Sequence, residues 1–374
     1  MNKEYEVSTY QPGDEGGIVQ LLELVFEGWP HLDLDCPPID HWNWKFRDNP
    51  LKMSSITLAQ SDDKIVGCHH TMPLRIKIGE EILPCTSGAD FAVHPDFRGR
   101  RISRILSSQG FEINAEEGLK LHYAIIGNPI LLKSVSQRRP RFPHPIGNLV
   151  RIRDIDRQLE AMPVENASLM KLGYGTAKFS NFIRNIFRSS GPAKHGLDIV
   201  RIDGFDDGIN EFWDEASGHY NLIVERRREY LNWRYCDHRT GDFVASQAEE
   251  NGRILGYSVL RINRYRQDYP VGFIVDLLTL PDRLDAADAL AADAVQFFDD
   301  NDINIVNYQV VKGHPYEWVL KRHGFVDSRI KAYVFFMPLQ EDDLIDKVKQ
   351  IPASKVLISW GDHDVLPVTM PSYR

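Results

Sequence analysis

The sequence contains no apolar run of the roughly 18 residues that a membrane span requires, and its first residues lack the apolar core of a signal peptide. The hydrophobic fraction of 43% and the charged fraction of 26% are ordinary for a globular chain. We therefore expect a cytoplasmic protein without a membrane partner.

An excess of basic residues is also missing. The chain has 44 Lys and Arg against 53 Asp and Glu, which gives a formal net charge of -9 at pH 7. Proteins that bind nucleic acids usually carry a basic excess, so we do not expect nucleic acid as a partner. Positive charge is local instead, in clusters at 98–104, 138–153 and 226–228.

Cysteine is scarce and scattered. The four cysteines are Cys36, Cys68, Cys85 and Cys236. They are far apart and form no Cys-x-x-Cys pair, which favours reduced thiols over a disulfide framework or a zinc site. His69, His70 and His314 have no partners at ligand spacing, so no metal is expected.

Two parts of the sequence repeat each other. His-Trp-Asn-Trp-Lys-Phe-Arg-Asp (41–48) matches Tyr-Leu-Asn-Trp-Arg-Tyr-Cys-Asp (230–237) at an offset of 189 residues. Further on the offset is 186, and the matched pairs are Asp90 and Asp276, Pro95 and Pro281, Gly127 and Gly313, and Pro129 and Pro315. Two registers of this length indicate tandem copies of one α/β unit. We expect the repeated Trp44 and Trp233 to pack in the core.

The repeat divides the chain, whose 374 residues suit about two domains. We predict a first copy over 1–153, a helical linker over 154–196 and a second copy over 197–374. The linker shows an amphipathic helical pattern, typical of a helix packed on a domain. Its lysines and arginines leave a membrane-surface helix as the alternative.

The segment Asp90 to Ser103 has the pattern of an anion site. A short apolar strand is stopped by Pro95, a tight turn follows at Arg98 and Gly99, and a helix is predicted to begin near Arg100. The first amides of a helix have no intrahelical partner and lie at the positive end of its dipole. Such a turn suits a pyrophosphate, and the arginines of the segment add side-chain charge.

This segment resembles motif A of the GNAT acyl-CoA N-acyltransferase superfamily. The family pattern is Arg/Gln-x-x-Gly-x-Gly/Ala, and this sequence meets it in part. Arg101 stands at the position of the first glycine, and Ser103 stands at the position of the last small residue. The resemblance extends to a first strand and amphipathic helix at 4–25 and to a helix, Gly-Phe turn and strand at 318–337. It implies an α/β protein with mixed sheets, built from two tandem GNAT-like folds.

The resemblance also implies acetyl-CoA or another acyl-CoA as co-substrate, bound by the first copy. Pantetheine would add like a strand beside the backbone of residues 91–93, and helix-start amides would hold the pyrophosphate. The implied cofactor-binding residues are Phe91, Ala92, Val93, Arg98, Gly99, Arg100, Arg101, Ile102, Ser103 and Asn128. For Asn128 a helix N-cap beside Pro129 is the alternative.

Three residues are candidates for proton transfer during acyl transfer to an amine. Asp90, at the start of the strand that would reach the thioester, is the candidate base, and a structural role is the alternative because Asp276 repeats it. His122 and Tyr123 begin the neighbouring strand and are candidates to relay or donate a proton. The resemblance implies a Tyr on the helix after this strand that protonates the thiolate. Residues 129–137 contain no Tyr, and Ser134 and Ser136 are the candidate substitutes.

The second copy differs at the corresponding turn, where it has Leu284-Asp285-Ala286-Ala287. Carboxylates at a helix start repel a pyrophosphate. We therefore expect a degenerate copy without cofactor, which instead shapes the substrate cleft.

We predict an N-acetyltransferase, transferring groups other than aminoacyl, that acts directly on a small-molecule amine. An amino sugar, an antibiotic amine and an amino acid derivative fit equally well. Two alternatives are a non-catalytic CoA- or ligand-binding protein with a decayed loop, and a tandem-GNAT transferase that uses aminoacyl-tRNA to extend peptidoglycan precursors. The oligomeric state is open, with a homodimer as one possibility.

Overall fold

The computed structural model of the protein describes residues 4–53, 55–136, 139–161, 196–340 and 343–364. Most of the predicted linker, including its amphipathic pattern, lies outside the described residues. The predicted division at 153 and 197 therefore stays a prediction.

The first copy alternates short helices with strands that are buried on one or both faces. Its strands are β1 (Glu6–Thr9), β2 (Ile56–Ser61), β3 (Lys64–Ile78), β4 (Glu81–Val93), β5 (Leu121–Ile126) and β6 (Ile146–Ile152). Its helices are α1 (Glu15–Phe26), α2 (Pro38–Phe46), α3 (Ile102–Glu116) and α4 (Pro129–Val135), and α5 (Ile155–Glu160) follows β6.

The second copy repeats this order. Its strands are β7 (Asp198–Ile202), β8 (Leu222–Val224), β9 (Val244–Glu250), β10 (Arg253–Asn263), β11 (Val271–Thr279), β12 (Ile305–Val311), β13 (Val326–Pro338) and β14 (Val356–Leu357). Its helices are α6 (Gly208–Ser217), α7 (Arg228–Tyr235), α8 (Leu284–Asp300), α9 (Pro315–Arg322) and α10 (Leu344–Gln350).

Local sequence explains several of these elements. The predicted apolar face of α1 is buried at Ile18, Leu21 and Leu22, because residues three and four apart share one side of a helix. Asp62 and Asp63 both have positive φ values, 48° and 60°, in the two-residue loop between β2 and β3. This is the hairpin turn whose twist matches that of its strands.

The strands of both copies form one continuous mixed sheet, in the order β1-β2-β3-β4-β5-β13-β6-β12-β11-β10-β9-β7. The final strands are exchanged. Strand β13 of the second copy pairs with β5 of the first, from Tyr333 opposite Ile126 to Pro338 opposite Leu121. Strand β6 of the first copy pairs with β12 of the second. The predicted mixed α/β architecture is thus confirmed, and each copy completes the sheet of the other.

A reciprocal tryptophan pair joins α2 to α7. Trp44 Nε1 donates to the carbonyl of Trp233 (2.8 Å), and Trp233 Nε1 donates to the carbonyl of Trp44 (3.1 Å). The rings stack with centroids 4.9 Å apart. Equivalent residues of the two copies therefore meet across an approximate two-fold axis. The expectation that both tryptophans pack in the core is confirmed.

We predict that Trp44→Ala lowers the free energy of unfolding by about 3–5 kcal/mol, because it leaves a cavity and removes both the ring stacking and the hydrogen bond that the Trp44 indole donates. Urea unfolding followed by circular dichroism measures the loss. Trp318→Ala is the control: this side chain is 59% exposed, and a surface substitution changes stability by about 0.5 kcal/mol or less. Equal losses in the two variants would contradict a role for the stacked pair.

Candidate functional site

Strands β4 and β5 pair along only part of their length. Their parallel ladder consists of Cys85 with Leu121, Thr86 with His122 and Ser87 with Tyr123. Beyond these pairs β4 continues to Val93 against β3, and β5 continues to Ile126 against β13. A gap, which we call the wedge, opens between residues 88–93 and 124–126. Backbone groups that face it can bond an extended ligand as an added strand.

Strand β4 is bulged inside the wedge. Its register against β3 shifts between the pairs Cys68–Ala92 and His70–Ala89, and Asp90 has a φ of 29°. A bulge re-aims side chains and increases the local twist. Beside it Phe91 is 39% exposed and Ala92 is buried. The cofactor-binding residues predicted on this strand thus border the wedge.

The predicted anion turn lies at the end of β4. Pro95–Phe97 form one 3-10 turn, Gly99 has a φ of 80°, and Arg101 has a φ of 64° as the N-cap residue of α3. The helix begins at Ile102, slightly after the predicted start near Arg100. No side chain of the N-cap residue binds the first amides of α3, so these amides are open to an anion.

The arginines of this turn fold around it. Arg98 Nε donates to the carbonyl of Val93 (3.4 Å), and Arg100 donates to the carbonyl of Asp96 (3.1 Å) with its guanidinium over Phe97. These two arginines make the mouth of the wedge positively charged. The first turn of α3 contains no acidic residue.

Asp90 points away from solvent into an ion pair. Its carboxylate accepts from Lys45 Nζ at 2.6 Å and from Trp29 Nε1 at 2.8 Å, and its carbonyl accepts from His70 Nδ1 at 2.7 Å. Burial by itself would raise the pKa of Asp90, but the charge and hydrogen bond of Lys45 outweigh it and the pKa is lowered. A carboxylate held this way is a weak base.

A second carboxylate, absent from the sequence-based candidates, lies at the same ammonium. Asp364 Oδ2 is 3.8 Å from Lys45 Nζ, and the Asp364 side chain is 31% exposed whereas those of Lys45 and Asp90 are 0% and 5% exposed. Burial and the charge of Asp90 raise the pKa of Asp364, although Lys45 opposes them. No local pattern around Asp364 signals this contact, because it depends on tertiary packing alone.

The side chains of His122 and Tyr123 do not point to a common site. His122 Nδ1 is hydrogen-bonded to Thr86 Oγ1 (2.9 Å), and burial, with smaller effects of His69 and Arg139, lowers its pKa to about 3. The Tyr123 hydroxyl donates to the carbonyl of Asp362 (3.0 Å), and burial raises its pKa well above the usual value. Neighbouring strand residues face opposite sides of a sheet. The catalytic roles of Asp90, His122 and Tyr123 stay predictions.

Asn128 is the N-cap residue of α4. Its side-chain oxygen accepts from the amides of Ile130 (2.9 Å) and Leu131 (3.3 Å). The capping alternative considered from sequence therefore describes its contacts, and its part in cofactor binding stays a prediction.

A family comparison matches residues 6–125 to the family described as the acetyltransferase (GNAT) domain. This segment contains β1 to β5, the wedge and the anion turn. Over this segment the chain matches a GNAT domain.

Solved structures share the fold over nearly the whole chain. A probable N-acyltransferase from Enterococcus faecalis V583 and a GCN5-related N-acetyltransferase from Anabaena variabilis ATCC 29413 each have a TM-score of 0.60 and 11% identity, covering 90% of this chain and 73% of theirs. An N-myristoyltransferase from Saccharomyces cerevisiae with bound myristoyl-CoA and inhibitors has a TM-score of 0.59 and 10% identity, covering 96% and 87%. No curated protein matches.

The second GNAT-like copy also has a splayed strand pair, but a side chain bridges it. The β11–β12 ladder ends at Ile274 with Tyr308. From α9, Tyr316 accepts the backbone N–H of Thr279 at 2.8 Å. The matching residue on α4 of the first copy is Ile130, which is 74% exposed. The wedge is therefore closed in the second copy and open in the first.

The charge at the α8 start differs as well. Arg283 is paired with Asp285 (2.9 Å) and with Glu250 (3.1 Å). One cation between two carboxylates leaves no excess positive charge for a pyrophosphate. These contacts are consistent with the prediction that the second copy binds no cofactor, and it stays a prediction.

The described residues lack two further features. They contain no group of three or more His, Cys, Asp or Glu side chains arranged to hold a metal ion. Within the same ranges, no helix combines the length and the apolar character needed to cross a bilayer.

We predict that Lys45→Met destabilises the first copy by about 3–5 kcal/mol at pH 7, because the buried Asp90 charge loses its partner. In the wild type, the lowered pKa of Asp90 adds stability above its unfolded pKa of about 3.9, and this stability is lost as the pH falls through the folded value. In the variant the pKa of Asp90 rises, so protonation recovers stability already in mild acid. In urea unfolding, the difference in free energy of unfolding between wild type and variant should be smaller at pH 4.5 than at pH 7.

The control for this experiment is Lys349→Met. Lys349 pairs with Asp346 at 3.0 Å, but both side chains are more than half exposed, and such a pair contributes about 0–1 kcal/mol. If Lys45→Met loses the same free energy of unfolding at both pH values, Asp90 is not the charge that Lys45 neutralises.

Proposed function

We propose that the protein is an acyl-CoA-dependent N-acyltransferase that transfers an acyl group, in the simplest case acetyl, directly to a small-molecule amine. The observation that carries this proposal is the open wedge between β4 and β5 with the uncapped, arginine-rich helix start at its mouth. The proposed acceptor is a small molecule rather than a nucleic acid or a membrane.

The wedge and the turn fit the two ends of one ligand. Amides from Gly99 to Ser103 would receive the pyrophosphate, with Arg98 and Arg100 beside it. Pantetheine would extend along Phe91 to Val93 as an added strand, which places the thioester at the bulge of β4. The backbone amide near Val93 is the candidate donor to the thioester oxygen during attack.

The transfer needs one proton acceptor and one proton donor. The amine loses a proton, its nitrogen bonds to the thioester carbon, the carbon–sulfur bond breaks, and the thiolate is protonated. A carboxylate takes up the amine proton most effectively when its pKa approaches the working pH. Asp364 fits better than Asp90 because its pKa is raised and its side chain is more exposed. Asp90 then holds Lys45 in place.

Binding is tested by calorimetric titration of acetyl-CoA. We expect one site per chain in the wild type and loss of binding in the double variant Arg98→Glu, Gly99→Asp, because two carboxylates replace the cation and the small residue at the turn. The control Leu284→Glu changes the position that matches Arg98 in the second copy, and it should bind like the wild type. Binding lost only in this control would place the site in the second copy.

Catalysis is tested by the release of free thiol from acetyl-CoA with amino sugars, an aminoglycoside antibiotic and amino acid derivatives. Thiol release that requires an amine supports the transferase. Tight acetyl-CoA binding without amine-dependent release by any member of the panel would support a non-catalytic CoA-binding protein instead.

With the best amine, we predict that Asp364→Asn lowers kcat/KM by about 100-fold or more. Because a base must be ionised, wild-type kcat/KM should rise with pH through the raised pKa of Asp364, and this acidic limb should vanish in the variant. Asp90→Asn should lose stability but keep the limb. The reverse pattern would assign the base to Asp90, as the sequence predicts.

A further inference from the structure

Gly88 of β4 lies at the narrow end of the wedge, where β4 and β5 begin to part. Gly88 has no side chain there, and a Cβ on it would lie 3.5 Å from His122 Cε1 and 3.7 Å from His122 Nε2. The edge of the His122 ring therefore lines the space over Gly88. An acyl group whose thioester lies at the bulge around Asp90 would extend from there toward this space.

A cation lies over the same face of the sheet. The Arg139 guanidinium carbon is 5.3 Å from the centroid of the Phe111 ring, and the Phe111 ring is 4.8 Å from that of His122. Arg139 also contacts the sulfur of Met337, the residue of β13 that pairs with His122. These contacts place Arg139 beside the end of the wedge.

Arg139 lacks an acidic partner. It is partly buried, and among the described residues no carboxylate pairs with it; burial alone lowers its pKa. The fully buried arginines of the chain behave differently. They pair with aspartates: Arg151 with Asp299, Arg226 with Asp276 and Arg261 with Asp33. Removing a guanidinium from water without a counter-ion is unfavourable, so Arg139 is suited to an anion that arrives with a ligand.

The walls around this cation are largely aromatic. The His69 ring lies 5.3 Å from that of Phe91 and 5.4 Å from that of Phe111. Aromatic walls limit water, and an ion pair is stronger where water is limited. A charged group that reaches the end of the wedge would meet Arg139 and the His122 edge in such surroundings.

We infer that the acyl site accepts an acyl group that ends in a carboxylate, the acyl residue of a dicarboxylic acid, and that Arg139 pairs with that carboxylate. This inference rests on the proposed function, since it assigns the far end of the proposed acyl site. The transfer step is the one given above: the nitrogen–carbon bond forms, the carbon–sulfur bond breaks, and the distal carboxylate is unchanged.

The test is calorimetric titration of acetyl-CoA, butyryl-CoA and succinyl-CoA into the wild type, Arg139→Gln and Arg141→Gln. Butyryl and succinyl groups have equal carbon number and differ by the carboxylate. We expect the wild type to bind succinyl-CoA about tenfold or more tightly than butyryl-CoA, the gain typical of a charge-assisted hydrogen bond. Arg139→Gln should remove this preference and change acetyl-CoA binding by less than about twofold.

Arg141→Gln is the matched control, because Arg141 is exposed and its guanidinium lies over Tyr333 at 4.5 Å. It should keep the preference, and Arg139→Lys should keep part of it. Thermal unfolding checks that each variant is folded. If Arg139→Gln does not fold, the wild-type comparison of succinyl-CoA with butyryl-CoA decides.

Two results would overturn the inference while leaving the proposed function intact: equal wild-type affinities for succinyl-CoA and butyryl-CoA, or an equal loss for all three thioesters in Arg139→Gln. If none of the three thioesters binds to the wild type, both the inference and the proposed function fail.

Discussion

The wedge depends on hydrogen bonding at the outer edges of the two strands that form it. Strand β4 is paired with β3 from Glu81 to Val93, and β5 is paired along its whole length with β13. Because an unpaired buried backbone group is costly, β5 could not part from β4 unless another strand satisfied its other edge. That strand comes from the second copy. The exchange of final strands therefore allows the gap between β4 and β5 in the first copy.

The same exchange brings one stretch of chain to the buried charges of both copies. Asp362 pairs with Arg226 at 2.9 Å, beside Asp276 of the second copy. Two residues later Asp364 lies at Lys45, beside Asp90 of the first copy. Asp90 and Asp276 thus occupy equivalent positions in the repeat, but their partners, Lys45 and Arg226, do not. A buried ion pair contributes little net stability, yet breaking it costs several kcal/mol, so both copies depend on this stretch being in place.

The sequence predicted what local pattern and repetition determine. Spacing and backbone preference determine the apolar face of α1 and the turn from Pro95 to the start of α3. Strand exchange does not follow, because the alternation of apolar residues near the end of the second copy predicts the strand that is β13 but not its neighbour in the sheet. Strand β6 was not predicted from the sequence. The sequence also did not predict the ion pair of Asp90 with Lys45 or the contact of Asp364 with Lys45, since these residues are distant in sequence.

The two copies show how one fold can be either open or closed to a ligand. The second copy satisfies its splayed strands internally, with Tyr316 bonded to Thr279, and neutralises Arg283 with Asp285 and Glu250. At the matching places the first copy has an exposed Ile130 and an arginine-rich turn whose first amides have no side-chain cap from the N-cap residue. Each of these open groups costs stability in the free protein relative to the closed arrangement. The proposed ligand, which adds a strand and brings anionic groups, would offset that cost in the first copy, whereas the second copy already has the Tyr316 hydrogen bond at the matching place.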